Sequence, residues 1–213
     1  MRDRVTVWLV FLPLVLGLGA RAENLTALPV APVPIVVSPI DPSLLYSEYV
    51  RADVTFERAR FDRGISTFTR THTPAVRVNF ATDALQVNVR VKYRKSCLTP
   101  GCGSFFLEVD GVVQPQAVGD SVVSSAGDET FLLFRQSGAV THDFSLIFPY
   151  AAAVDFKGLE LFGGTPLLGS APERPGFVYV AHGDSITQGF YSTGTIKGYP
   201  SRIAQTKGWS VIN

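Results

Sequence analysis

The residues best able to do covalent chemistry sit late in the chain, in Gly183-Asp184-Ser185-Ile186-Thr187-Gln188-Gly189. They follow a compact apolar run, Phe177-Val178-Tyr179-Val180-Ala181, which reads as a strand buried on both faces. A phosphate-cradling loop needs a lysine after its second glycine, and here Gly189 is followed by Phe190. The dinucleotide fingerprint G-x-G-x-x-G is not met. The nucleophile elbow of α/β-hydrolases needs glycine two residues after the serine, and position 187 is threonine. What remains is a serine at the point where a strand gives way to a helix. Its hydroxyl can project from the sheet edge, and its own backbone N–H can face a developing oxyanion. Such a serine still needs a general base within hydrogen-bond reach and a group that orients the base.

The elements that would hold this turn follow at once. Gly198 to Lys207 reads as a short helix with Tyr199, Ile203 and Ala204 on one side, and Gly208 stops it. Trp209-Ser210-Val211-Ile212 then opens a second strand, so 177–213 reads as a β-α-β unit.

At these residues the sequence resembles the SGNH, or GDSL, hydrolases. The block from Gly183 to Gly189 after an apolar strand carries the resemblance, and so do Gly198-Tyr199-Pro200 and Gly208-Trp209-Ser210-Val211-Ile212-Asn213. The resemblance implies that Ser185 is the nucleophile and its backbone N–H one oxyanion donor. Gly183, Asp184 and Gly189 support the motif, with Asp184 structural rather than the base. It also implies a glycine donor after the second strand, an asparagine donor further on and a late Asp-x-x-His as the base. The sequence reaches Asn213 before any of these, and Asn213 falls too early to be the oxyanion asparagine. The expectation is therefore an incomplete hydrolase domain, inactive by itself. Of the histidines, His182 reads as filling space at the strand end, and His72 and His142 as ordinary strand or loop residues.

Upstream, the pattern changes to strands. In Leu85-Gln86-Val87-Asn88-Val89-Arg90-Val91-Lys92-Tyr93 the apolar residues alternate with polar ones, the mark of a strand with one buried and one wet face. Residues 75–80 alternate likewise. Asp110-Gly111 between Phe105–Val109 and Val112–Pro115 is a hairpin signal. Further apolar runs at 130–134, 144–148 and 159–162 complete a β-sandwich of the jelly-roll kind. The predicted organisation is a lead-in over 23–45, a sandwich over 46–162, a Gly/Pro-rich linker over 163–176, and the start of a three-layer α/β hydrolase domain. The lead-in, with five prolines between Pro29 and Pro42, reads as extended chain rather than core. A sandwich ahead of an SGNH domain is similar in layout to carbohydrate esterase family two, which implies removal of acetyl groups from polysaccharides.

Composition agrees with an exported globular protein. Apolar residues make up 46% and charged residues 17%, with a net charge of +1 and no basic run. Nucleic acid and anionic membrane surfaces are thus not expected partners. Residues 1–22 read as a secretory signal: Arg2 and Arg4, an apolar run from Val5 to Leu18, then Ala20-Arg21-Ala22. Asn24-Leu25-Thr26 is a glycosylation acceptor in the mature tail. Cys97 and Cys102, the only two cysteines, read as a loop-closing disulfide, with two free thiols as the alternative. They lack further ligands for zinc, and no metal or organic cofactor is expected. The expected function is a secreted serine esterase acting on an acylated carbohydrate or small ester. The rival is a carbohydrate-binding β-sandwich without catalysis.

Overall fold

The computed structural model describes residues 33–47, 51–62, 76–119, 122–167, 177–183, 187 and 195–212. The proposed signal peptide and Asn24 lie outside them. Among the described residues, eleven strands precede residue 163: β1 (Ile35–Val37), β2 (Leu45–Ser47), β3 (Arg51–Val54), β4 (Ala59–Asp62), β5 (Arg77–Thr82), β6 (Gln86–Tyr93), β7 (Phe106–Val109), β8 (Val112–Val113), β9 (Gly127–Arg135), β10 (His142–Ile147) and β11 (Val154–Phe162). One sheet runs β3-β4-β11-β6-β9, with β1 also pairing β11, and the other runs β2-β5-β10-β7-β8. All pairings within these two sheets are antiparallel.

The inner faces of both sheets meet in one core. β6 supplies Val87, Val89, Val91 and Tyr93, all buried, while Gln86, Asn88 and Arg90 are half-buried and Lys92 is exposed. That is the expected alternation, and it makes β6 a central strand with one wet face. Phe80 of β5 stacks on Phe144 of β10 at 5.1 Å between ring centroids, and Phe148 meets Phe61 and Phe156 edge-on from the other end of the core.

The lead-in differs from its expectation. Ile35–Val37 is a strand paired with β11 through Ile35↔Leu161 and Val37↔Leu159, and Val37 and Leu44 are core residues. The three β-branched residues lie between Pro34 and Pro39, so no proline interrupts the short ladder and each N–H can donate. The sandwich thus begins ahead of Tyr46.

The hairpin at Asp110-Gly111 forms as expected, with φ of 51° and 80° at the two positions, the left-handed pair that a two-residue turn of this kind requires. Cys97 and Cys102 are joined in a disulfide. The bridge closes the loop after β6, and Cys97 exchanges both backbone hydrogen bonds with Val123, which ties that loop to the approach to β9.

The outer face of the second sheet departs from the usual wet exterior. Register places Arg77, Ile147 and Phe106 side by side, with Asn79, Ser145, Glu108 and Val113 along the next row. Arg77, Ile147, Phe106, Ser145 and Glu108 are all buried. Arg77 Nη1 donates to Glu108 Oε2 and to Ser145 Oγ, each at 3.0 Å.

After residue 177 the order is β12 (Val178–Val180), a 3-10 turn at Thr195–Lys197, helix α1 (Tyr199–Lys207) and β13 (Ser210–Ile212). β12 and β13 pair in parallel, Val178↔Ser210 through Val180↔Ile212, with the helix as their crossover. Gly208 ends the helix in the left-handed conformation, φ 67°. Two expectations are corrected. Val178 and Val180 are exposed among the described residues, so β12 is not buried on both faces. On α1 only Ala204 of the expected apolar trio is buried, against Tyr179, while Tyr199 and Ile203 are more than a third exposed.

Candidate functional site

Ser185, Asp184 and Gly189 lie outside the described residues, but both flanks of the turn are described. Gly183 ends the segment leaving β12. A side chain there would collide with Thr187: a Cβ would fall on Thr187 Oγ1 and within 2.9 Å of Thr187 Cβ. Glycine at 183 is therefore needed for close approach, and it brings the residues before and after Ser185 together. Thr187 is itself buried, and its Oγ1 shares a hydrogen bond of 2.9 Å with the hydroxyl of Tyr199. Tyr199 is the first residue of α1. Gly183 and Thr187 thus lie side by side, and Thr187 is tied to the start of the crossover helix.

Sequence reasoning picked out Gly183 for the motif but gave no role to Thr187 or Tyr199. Motif spacing contains Thr187 only as the residue that excludes a different elbow, and nothing in it pairs positions 187 and 199. Gly183→Ala is expected to lower stability by about 1–3 kcal/mol through overpacking against Thr187. Urea unfolding would read this, and an unchanged midpoint would mean that Thr187 can give way.

Two other chemistry-bearing groupings lie in the sandwich. His142 Nδ1 is 2.6 Å from Asp110 Oδ2, and the backbone N–H of Asp143 donates to Asp110 Oδ1 at 2.9 Å. His142 also meets Phe134 and Phe144 edge-on. The hydrogen bond from His142, and then that from Asp143, hold the Asp110 carboxyl below its usual range. The sign follows: this contribution to stability is present above the unfolded-state pKa and is lost as pH falls through the lower folded-state value. Asp110 is over half exposed, so solvent screens the effect. His142→Ala is expected to raise the Asp110 titration midpoint toward the ordinary carboxylate range, followed by carboxyl carbon NMR. No movement would mean that His142 does not hold the proton equilibrium.

The second grouping is a cleft of about 470 Å³ lined by Phe131, Phe134 and Arg135 of β9 together with Leu107, Gln114 and Gln116. It combines ring faces with amide and guanidinium donors.

Known structures align with most of this chain. A salicylyl-acyltransferase, SsfX3, from a tetracycline biosynthetic pathway aligns over 85% of this chain and 53% of its own, at 19% identity and a TM-score of 0.70. A GDSL-like lipase from Bacteroides ovatus aligns over 84% of this chain and 56% of its own, at 16% identity and a TM-score of 0.63. The chain has an SGNH-type hydrolase fold. A family two carbohydrate esterase from Cellvibrio japonicus aligns over 84% of this chain and 51% of its own, at 17% identity and a TM-score of 0.60. The chain spans about half the length of these structures. No family model matches the sequence, and no curated protein matches it. Among the described residues no helix is long and apolar enough to cross a membrane.

Proposed function

We propose that this chain carries the nucleophile of a secreted SGNH-type serine esterase. The observation that carries the reading is the turn itself: Gly183 packed on Thr187, and Thr187 latched to Tyr199, around the serine of the motif. In this reading Ser185 projects from the end of the strand and its backbone N–H faces the developing oxyanion. In the proposed reaction Ser185 Oγ attacks the acyl carbon and loses its proton to a base. The oxyanion accepts a hydrogen bond from the Ser185 N–H, the alcohol departs with the proton, and water then cleaves the acyl-enzyme. The base and the remaining oxyanion donors are proposed to come from sequence corresponding to the half of the related structures that this chain does not span. Asp184 supports the turn and takes no proton.

The proposed substrate is an acetyl ester on a carbohydrate, or another small acyl ester. Support comes from the likeness to a carbohydrate esterase, a lipase and an acyltransferase. The apolar leader and Asn24 support export, and the disulfide is in keeping with an oxidising compartment. Division into a jelly-roll sandwich, a linker at 163–176 and a three-layer α/β domain belongs to the same proposal.

The test is covalent trapping. A protein carrying this chain together with an Asp-x-x-His region should react with a fluorophosphonate on the peptide that contains Ser185. Hydrolysis of an acetate ester with the label elsewhere, or with no label, would overturn the assignment.

The cleft beside β9 favours a second reading, in which the sandwich binds glycans. Rings pack on the apolar faces of sugars while amides and guanidinium groups meet hydroxyls. The full chain should then be retained on insoluble polysaccharide, and Arg135→Ala should weaken retention. Passage through every glycan tested would remove this reading.

A further inference from the structure

We propose that the outer face of the second sheet is a dock within the molecule that holds the nucleophile turn, so that the sandwich acts as part of the hydrolase scaffold rather than as a tethered appendage. The first observation is burial. Phe106 and Ile147 point away from the sandwich core, yet they are 3% and 1% exposed. Together with Ile196 of the 3-10 turn they form a separate buried cluster, with Val113 packed at its side. Ile196 is eleven residues after Ser185 and three before Tyr199.

The second observation is the contact path from that cluster to the turn. Thr195–Lys197 leads through Gly198 directly into α1. Tyr199, in the first turn of α1, hydrogen-bonds Thr187, and Thr187 fills the space beside Gly183. Only the 3-10 turn and the first residue of α1 separate the sandwich surface from the residues around Ser185. The third observation is the ion pair on the same face: Arg77 and Glu108 are 6% and 9% exposed in their side chains. A charged pair on the outside of a sheet is ordinarily wet. Here it sits dry beside the patch that Ile196 covers, and one cover over both is the economical arrangement.

The dock rests on the esterase reading only for the role of Ser185, and it can be read without any hydrolysis. Amide hydrogen exchange on the full chain is the measurement. Ile196→Ser should speed exchange over Tyr199–Lys207 by about tenfold or more, with the protection of β6 unchanged. Phe106→Ser, from the other side of the contact, should loosen the same helix. Ile196→Val should restore the parent rate, because it keeps a β-branched apolar group in the site. Val112→Ser, at an exposed position in the neighbouring hairpin, sets the baseline. Helix exchange at that baseline in both serine variants overturns the dock. If Phe106→Ser speeds β6 and the helix together, the sandwich has opened. Ile196→Ser then decides, because the Ile196 side chain lies outside the sandwich core. Failure of the trapping experiment with these exchange results intact would sink the esterase and leave the dock standing.

Discussion

Ser185→Ala, made in a protein that joins this chain to an Asp-x-x-His region, is expected to lower kcat for a simple acetate ester by roughly 10⁴-fold or more. The size follows from the role. A nucleophile is used only in the transition state and the covalent intermediate, so its loss falls on kcat while KM stays within a few-fold. Residual hydrolysis over the uncatalysed rate should persist, because backbone donors can still polarise the carbonyl for attack by water. Asp184→Asn separates this assignment from its nearest competitor. If Asp184 only supports the turn, its amide should cost far less than the loss of Ser185, and the pH profile should keep its shape. If Asp184→Asn instead abolished activity while Ser185→Ala retained it, the carboxylate would be the reacting group. Initial rates and pH profiles on the three proteins decide the matter.

Much of the sandwich was legible in the sequence because period-two alternation reports which residues share a face. In β6 the four inward residues are Val87, Val89, Val91 and Tyr93, the set that alternation selects. Asp110-Gly111 was legible because few residues tolerate two successive positive φ values. The β12-α1-β13 order was legible from an apolar run, a glycine stop and a second apolar run. Alternation is silent, however, on whether a face is covered. Arg77 alternates with Val76 and Val78 as a wet residue would, yet it is buried, on a face whose Phe106 and Ile147 meet Ile196 from far away in sequence. The same silence works in reverse at Val178 and Val180, whose apolar run suggested burial that the described residues do not supply. In the lead-in the prolines outweighed three β-branched residues, although Ile35-Val36-Val37 contains none of them. At the turn, the serine motif could be read, but the packing of Gly183 on Thr187 and the latch to Tyr199 depend on how the backbone folds back. No spacing rule encodes that.

The dry ion pair on the outer face yields the other large effect. Glu108→Ala is expected to cost about 3–5 kcal/mol, because it removes the carboxylate that meets the buried Arg77 guanidinium at 3.0 Å. Ser145 still accepts from Arg77 Nη1 at 3.0 Å, but a hydroxyl offers no compensating charge. An exposed pair of the same geometry would be worth roughly 0–1 kcal/mol, so the measurement discriminates between a covered face and a wet one. The double replacement Arg77→Met with Glu108→Leu should recover most of the loss, since apolar groups of similar volume fill a dry site without desolvation cost. Urea unfolding of the parent, Arg77→Met, Glu108→Leu and the double variant closes a thermodynamic cycle, and a coupling well above 1 kcal/mol is the expected result. A loss below about 0.5 kcal/mol for Glu108→Ala would mean that water reaches this face. The dock would then lose its third support, and the contact of Ile196 with Phe106 and Ile147 would have to carry it alone.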